Sequence, residues 1–389
     1  MPYETSVPFR AGSDGYASFR IPACVRAPDG SLLAFAEGRV DSASDAGHID
    51  IVTRRSDDGG RSWGELHVAA SHASGTAGNP SPIVIPAGEG EGEDATDGSI
   101  VLVYVTNAAD ATESRIRRGE VSYKESRRVW VKESKDSGAT WPEGREITSS
   151  TKLHEWRWYA TTPGHALRLE RAPYEGRLVV PANHSLPPEG DDDGTEARYN
   201  GGHDVISDDG GRTWHIGYID DNPDGWVNVN ETTAAELPDG RIYFNTRTEA
   251  IAPEHRADAH SEDGGEGLLA PFAPQPQLTA PVVEASVLQL NDPDVLVFSA
   301  PGDPAERRGM TLRASTDGGA NWRTVHTVDD RPAAYSDLVR IDDHTLGLLY
   351  ETGDESPYAT VTFRRIPVSE LAEAAPDPEA EQSSVRTQT

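Results

Sequence analysis

The chain has 389 residues and is strongly acidic, because 35 Lys and Arg face 65 Asp and Glu, for a formal net charge of −30 at pH 7. This excess of negative charge repels nucleic acids and anionic membranes, and no run is apolar enough to span a bilayer or act as a secretion signal. We therefore expect neither nucleic acid nor membrane partners, and a cytoplasmic protein unless an export signal was removed.

The only cysteine, Cys24, cannot form an internal disulfide, and it excludes every cysteine-based zinc pattern. The histidines likewise lack the spacing of zinc ligands. We therefore predict no metal and no other cofactor.

The motif Ser-x-Asp-x-Gly-x-x-Trp recurs along the chain, and ordinary residue frequencies make its four copies incompatible with chance. A fifth copy has Leu268 where Trp is expected. The five copies begin at Ser56, Ser134, Ser207, Ser261 and Ser315. Asp and Gly predict a tight hairpin turn in each copy, with Gly at positive φ and Trp packed beneath the turn. We call these segments the boxes.

Short strands are predicted beside the boxes, at residues 49–55, 101–105, 178–181, 241–246 and 346–350. The last three boxes are each 54 residues apart, which suits a four-stranded propeller blade. We predict an all-β, six-bladed β-propeller with seven blades as the alternative. Residues 1–368 would form this single domain, and residues 369–389 an acidic, disordered tail.

The segment 16–22 contains Phe-Arg-Ile-Pro, and together with the boxes it resembles the bacterial sialidases, the exo-acting neuraminidases of glycoside hydrolase family 33. The resemblance extends from about Tyr16 to Pro367. It implies a retaining exo-α-sialidase that releases terminal sialic acids from glycans through a covalent tyrosyl intermediate. The alternatives are a non-catalytic sialoglycan-binding propeller, a trans- or anhydro-forming sialidase, and a hydrolase of a related nonulosonic acid.

The resemblance also implies which residues bind the substrate. Three arginines would converge on its carboxylate, namely Arg20, Arg247 and Arg307. Guanidinium groups suit this task because they form bidentate, charge-assisted hydrogen bonds. Arg308 competes with Arg307 for the third place. Glu351 would orient Arg20, and Arg39 would contact ring substituents.

For the chemistry, the resemblance implies Tyr335 as nucleophile, Glu231 as its general base and Asp45 as acid/base. The competing carboxylates are Glu236 for the base and Asp41 and Asp50 for the acid. A neutral hydroxyl avoids the repulsion that a carboxylate nucleophile would meet at a carbon already bearing a carboxylate, and sialidases are the tyrosine exception among glycosidases. Segments 156–165 and 181–184 would either border the sugar site or pack within blades.

Overall fold

The fold is all-β, as the sequence predicts. A computed structural model describes residues 3–88, 97–192, 194, 197–222, 225, 227–249 and 255–372. The helices of this described part are α1 (Glu113–Arg117), α2 (Thr148–Thr151) and α3 (Val368–Ala372). None of them is long and apolar enough to cross a membrane. Most of the predicted acidic tail, residues 373–389, lies outside the described residues.

The strands of the described chain are short, apart from one long strand near the C-terminus. In chain order they are β1 (Glu4–Arg10), β2 (Ser18–Arg26), β3 (Leu32–Arg39), β4 (Ile49–Ser56), β5 (His67–Ala70), β6 (Thr76–Ile85), β7 (Ser99–Asn107), β8 (Arg128–Ser134), β9 (Arg145–Glu146), β10 (Tyr159–Thr161), β11 (Leu167–Arg168), β12 (Leu178–Ser185), β13 (Asn200–Ser207), β14 (His215–Asp220), β15 (Thr232–Glu236), β16 (Ile242–Thr246), β17 (His255–Ser261), β18 (Ala273–Thr279), β19 (Ser286–Asn291), β20 (Asp294–Pro301), β21 (Arg308–Ser315), β22 (Arg323–Asp342), β23 (Thr345–Thr352) and β24 (Thr360–Pro367). All five strands predicted from the sequence are present, with ends that differ by a few residues.

These strands form four sheets, and two of the sheets contain more strands than one blade would. The order β1-β24-β23-β22-β21-β20-β19 makes a seven-stranded sheet, in which the first half of β22 pairs with β21 and the second half with β23. In the eight-stranded sheet, β4 and β6 are joined by a single parallel pair, Ile49 with Thr76. The other two sheets are β15-β16-β17-β18 and β10-β12-β13-β14, with β11 also on β12.

Every box begins on the last residue of a strand, as Ser56 does at the end of β4. In the first box Asp58 accepts hydrogen bonds from Ser56 Oγ at 2.8 Å and Ser62 N at 2.9 Å, while Ser56 Oγ accepts from Gly60 N at 2.7 Å. The Leu268 copy keeps the same Ser, Asp and Gly bonds. The predicted turn is therefore confirmed, and it does not require the Trp.

The turns of the boxes also pack against strands other than the one on which each box begins. A Cβ atom at Gly60 would lie 2.1 Å from the ring of Phe363 on β24, and one at Gly319 would lie 2.4 Å from Tyr243 on β16. Only glycine allows these approaches, and both glycines also have positive φ. The first box thus contacts a strand from the far end of the chain.

Register shifts interrupt several strand pairs of the described chain, and β2, β6 and β22 are three of the irregular strands. In β2 the shift includes Ile21, whose φ is +59°, and in β6 it includes Asn79 at φ +53°. In β22 it lies between Ala333 and Ser336 and includes Tyr335. A positive φ is strained for a branched residue such as Ile21, and bulges of this kind re-aim side chains.

We expect Asp58→Asn to lower the free energy of unfolding by about 1–2 kcal/mol, because it weakens several hydrogen bonds to one carboxylate. Bonds from Ser62 lower the pKa of Asp58 below its ordinary value. The stability that the ionised Asp58 carboxylate contributes is therefore fully present above its unfolded pKa of about 3.9. That stability is lost as the pH falls further. Urea unfolding from pH 7 to pH 2 measures the difference between the two proteins.

Asp57→Asn is the matched control, because Asp57 is in the same box but pairs only with exposed Arg55, at 2.7 Å. A surface ion pair of this kind contributes little to the free energy of unfolding. Equal losses in the two variants would contradict the structural role of the box aspartate.

Candidate active site

The strands β2, β6 and β22 border one cavity of about 200 Å³. Its wall contains seven of the eight residues that the sequence analysis assigns to the site, namely Arg20, Arg39, Asp45, Glu231, Arg247, Arg307 and Tyr335. The eighth, Glu351, is fully buried behind the wall. Five arginines and five acidic residues line the cavity, so the large negative excess of the whole chain is absent here.

Tyr335 and Glu231 form the shortest contact among the predicted catalytic groups. The Tyr335 hydroxyl donates to Glu231 Oε1 at 2.6 Å, although the residues are 104 positions apart. Arg247 Nη1 donates to Glu231 Oε2 at 2.9 Å and to the Tyr335 oxygen at 3.3 Å. Arg247 N also donates to Glu231 O at 2.9 Å, which joins the two residues across the hairpin. A phenol, a carboxylate and a guanidinium thus meet at one point.

Burial, followed by the charge of Glu231, raises the pKa of Tyr335 well above its ordinary value, and Arg247 and Arg20 only partly oppose this shift. The hydroxyl therefore keeps its proton at neutral pH. Proton transfer to Glu231 needs no rearrangement, because the hydrogen bond between the two groups already exists.

Arg20 is held by Glu351 from β23. Its Nε donates to Glu351 Oε1 at 2.7 Å, and the same oxygen accepts from the backbone N of Ile21 at 2.9 Å. The other oxygen, Oε2, accepts from Tyr335 N at 3.3 Å. The pKa of Arg20 is raised despite burial, because Glu351 lies beside it. The contact predicted between Glu351 and Arg20 is therefore present.

Arg307 reaches the cavity, whereas Arg308 does not line it. Arg307 Nη1 donates to the hydroxyl of Tyr358 at 2.9 Å, and Nη2 to Val282 O at 3.0 Å. Among the residues that the structure describes, no carboxylate lies within ion-pair distance of Arg307. Its charge is therefore available to an anion, and of the two sequence candidates Arg307 is the one that the cavity can use.

Asp45 lies on the open rim, with a side chain that is 77% exposed, and Arg39 Nη1 is 2.7 Å from its Oδ1. Desolvation would raise the pKa of Asp45, but the charges of Arg39, then Arg20, outweigh it and lower the pKa. Because the rim is open to water, we expect screening to weaken this effect. Arg39 is itself fixed by Glu37, with Arg39 Nη2 at 2.7 Å from Glu37 Oε2.

The competing carboxylates lie elsewhere. Asp50 is buried and accepts from the Tyr16 hydroxyl at 3.0 Å, while Asp41 is exposed and does not line the cavity. Glu236 accepts from the backbone N of Glu170 at 2.6 Å, away from the cavity.

Sequence reasoning missed several polar residues of the site. The cavity wall also contains Glu37, Asn79, Glu113, Arg127, Asn183, Asn230 and Glu249, together with Trp158 and Ala160. Trp158, Ala160 and Asn183 belong to the two segments whose role was left open, whereas Trp156 stacks on His184 with ring centroids 3.7 Å apart. The Asn-Pro-Ser-Pro run at 79–82 was the sequence signal for Asn79, since prolines beside a buried strand indicate a bulge.

A further missed residue, Glu284, lies behind Tyr335. It is buried, and its Oε2 accepts from Ser336 N at 3.0 Å, directly after Tyr335 in the chain. Burial, then the charge of Glu231, raises the pKa of Glu284 well above its ordinary value.

For a metal, the described residues offer no group of three His, Cys, Asp or Glu side chains.

Comparisons with known proteins agree with this geometry. A family model described as a BNR repeat-like domain matches residues 30–350. A sialidase of Micromonospora viridifaciens is 29% identical over 361 residues, which is 90% of this chain but 52% of that protein. The chain thus spans about half the length of that relative. An exo-alpha-sialidase of Aspergillus fumigatus is 28% identical over 389 residues, covering 91% of this chain and 85% of that one.

Among solved structures, the Hadza microbial sialidase Hz136 superposes with a TM-score of 0.78 at 25% identity, covering 94% of this chain and 69% of that chain. The recurring boxes, the all-β sheets and these matches all agree. The chain belongs to the BNR-repeat sialidases, a family of glycoside hydrolases.

Proposed function

We propose that the protein is a retaining exo-α-sialidase that removes terminal sialic acids from glycans through a covalent intermediate on Tyr335. The observation that carries this proposal is the 2.6 Å hydrogen bond between the Tyr335 hydroxyl and Glu231, at a point that three arginines also reach. A phenol bonded to a carboxylate is the arrangement that a tyrosine nucleophile requires.

The three arginines would bind the substrate carboxylate. Glu351 engages only the Nε of Arg20, and Arg307 has no carboxylate partner in the described part of the chain. An incoming carboxylate would therefore find guanidinium N–H groups that are already oriented. Such pre-organised, charge-assisted bonds fix the ring so that its anomeric carbon faces Tyr335.

In the first chemical step, the Tyr335 oxygen would attack the anomeric carbon while its proton passes to Glu231. The bond to the leaving oxygen breaks, and Asp45 would protonate that oxygen. In the second step, Asp45 would take a proton from water as the water oxygen replaces Tyr335, which recovers its proton from Glu231. Two inversions at one carbon give overall retention.

Substrate binding should also prepare Asp45 for this role. The positive field of Arg39 and Arg20 lowers the pKa of the Asp45 carboxyl. A substrate carboxylate on Arg20 would offset part of that field. The pKa of Asp45 would then rise in the complex, which favours the protonated form that a general acid needs.

We also propose that residues 1–368 form one six-bladed propeller. The two large sheets divide naturally, at the middle of β22 and at the single pair between β4 and β6, into two four-stranded groups each. With the two smaller sheets this makes six groups. Pairing of β1 with β24 and the contact of Gly60 with Phe363 would close the ring between its ends.

We expect the wild-type protein to hydrolyse a fluorogenic α-sialoside, and Tyr335→Phe to lower kcat by roughly 10³-fold or more, because the nucleophilic oxygen is removed. The arginines are untouched, so the variant should still bind substrate. Steady-state fluorescence gives kcat, and calorimetric titration of the variant gives binding.

Tyr104→Phe is the matched control, because Tyr104 is equally buried but lies outside the cavity. Equal turnover by wild type and Tyr335→Phe would refute the nucleophile assignment. Binding without turnover by the wild type, on every sialoside tried, would instead indicate a binding propeller.

The role of Asp45 predicts a dependence on the leaving group. Asp45→Asn should lower kcat/KM for a sialyl-oligosaccharide by roughly 10²–10⁴-fold, because a sugar alkoxide must be protonated as it leaves. A methylumbelliferyl sialoside, whose leaving group needs no proton, should lose far less. Asp41→Asn should affect neither substrate, and equal losses on both substrates in Asp45→Asn would argue against an acid role.

Retention predicts that the first product is the α-anomer. Proton NMR during the first minutes of hydrolysis distinguishes it from the β-anomer, before the two interconvert. A β-anomer formed first would mean direct attack by water, and would exclude the tyrosyl intermediate.

A further inference from the structure

A tyrosine beside the cavity contacts two of the three arginines at once. Tyr358 lies in the loop between β23, which ends at Thr352, and β24, which begins at Thr360. Its hydroxyl accepts a hydrogen bond from Arg307 Nη1 at 2.9 Å, and the guanidinium carbon of Arg20 lies 4.1 Å from the centre of its ring. Tyr358 does not line the cavity wall. It therefore contacts the groups that would bind a ligand rather than the ligand itself.

The two contacts of Tyr358 are of different kinds, and neither neutralises a guanidinium. An aromatic ring attracts a cation through the negative potential of its face, without a charge of its own. A phenol oxygen accepts a hydrogen bond and is also uncharged. A carboxylate in its place would hold Arg307 as well, but it would compete with the anion of a substrate. Tyr358 can therefore fix both arginines and leave their positive charges to a ligand.

Arg307 depends on this contact because it has few others. The other two arginines each form an ion pair with a carboxylate, whereas Arg307 has none among the described residues. In this part of the chain, the side chain of Arg307 donates only to the Tyr358 hydroxyl and to Val282 O. Without the hydroxyl, Nη1 would lose its partner. A long side chain with fewer bonds then has more rotamers to lose when it binds a ligand.

The fold itself holds Tyr358 in place. Its ring packs against a buried cluster that includes Ile21 and Tyr335, the two residues beside the shifts in β2 and β22. The next residue in the loop, Ala359, accepts a backbone hydrogen bond from Ala11 N at 3.0 Å. The position of the phenol is therefore set by contacts that do not involve a ligand.

We propose that Tyr358 is a positioning residue, which orients Arg20 and Arg307 so that both can bind the carboxylate of one substrate molecule. The proposal rests on the proposed sialidase function, in which these arginines bind the carboxylate of the sialic acid. Two guanidinium groups that converge on one anion repel each other before it binds. A shared, neutral anchor opposes that repulsion without adding a competing negative charge.

Tyr358→Phe keeps the ring but removes the oxygen that accepts from Arg307. We expect it to raise KM for a methylumbelliferyl α-sialoside by roughly tenfold and to change kcat by less than about threefold, because the carboxylate is bound alike in the ground state and the transition state. Tyr358→Leu also removes the ring beside Arg20, and should raise KM further. Steady-state kinetics gives both constants, and calorimetric titration with free sialic acid gives its affinity.

A double-mutant cycle distinguishes this role from a general effect on folding. If Tyr358 acts through Arg307, Tyr358→Phe should have little further effect on kcat/KM in a protein that already carries Arg307→Met. A residue with only a structural role would lower kcat/KM by the same factor in both backgrounds. Thermal unfolding of every variant identifies any that is misfolded.

Tyr199→Phe is the matched control. The Tyr199 hydroxyl also accepts from an arginine, Arg198 Nη2 at 2.9 Å, and the guanidinium carbon of Arg198 lies 4.8 Å from the centre of its ring. Tyr199 does not line the cavity. Its substitution should leave both KM and kcat at their wild-type values.

A Tyr358→Phe protein with the KM of the wild type would overturn the inference, and so would equal losses in the two backgrounds of the cycle. Either result leaves the proposed sialidase activity intact, because the wild type would still cleave the sialoside. Absence of cleavage by the wild type would instead contradict the proposed function. The affinities of wild type and Tyr358→Phe for free sialic acid would then decide the role of Tyr358, and equal affinities, or no binding by either protein, would overturn it.

Discussion

One buried carboxylate joins the parts on which the site depends. Glu351 on β23 accepts hydrogen bonds from Arg20, which is 331 residues away in the chain, from the strained backbone at Ile21 and from the backbone of Tyr335. It therefore connects β2 to β22. Breaking a buried pair by removing one partner typically costs 3–5 kcal/mol, because the other charge remains uncompensated. The ion pair thus fixes the side chain of Arg20 and the backbone of Tyr335 relative to each other.

The site concentrates cations in a protein that carries a large negative excess. Arginines alternate with carboxylates around the cavity, and most pairs, such as Arg39 with Glu37, are locally neutral. Two guanidinium groups, those of Arg307 and Arg127, have no carboxylate partner in the described chain. Screening confines the negative field of the surface to roughly 8 Å at physiological salt, so these unpaired charges decide which ligands the cavity attracts.

Three of the strands with register shifts, β2, β6 and β22, build this cavity. The shifts in β2, β6 and β22 bring Arg20, Asn79 and Tyr335 to its wall. In a regular strand, successive side chains point to opposite faces. Adjacent residues of such a strand could not both present functional groups to the cavity. The boxes have a different role. They hold the turns at the ends of strands in a fixed geometry, while the strands beside the cavity deviate from regular pairing.

The sequence predicted the fold and the site to different extents. The boxes and the short apolar runs were sufficient for the all-β class and for the turn geometry, including the copy with Leu268, because those bonds are local. The three residues proposed as catalytic and the three arginines could be named from motifs. Arg307 rather than Arg308 lines the cavity, and Asp45 rather than Asp41 or Asp50 does so. The spacing of these residues in the sequence did not by itself require either choice.

The sequence by itself thus determined the repeat, the strand class and the identity of most groups at the site, since each depends on residues that are close in the chain. Only the tertiary structure decided which side chains share the cavity and which of their hydrogen-bonding groups lack partners. Arg127, Asn183 and Glu284 had no recognisable motif, because burial, stacking and missing acceptors result from contacts between distant strands.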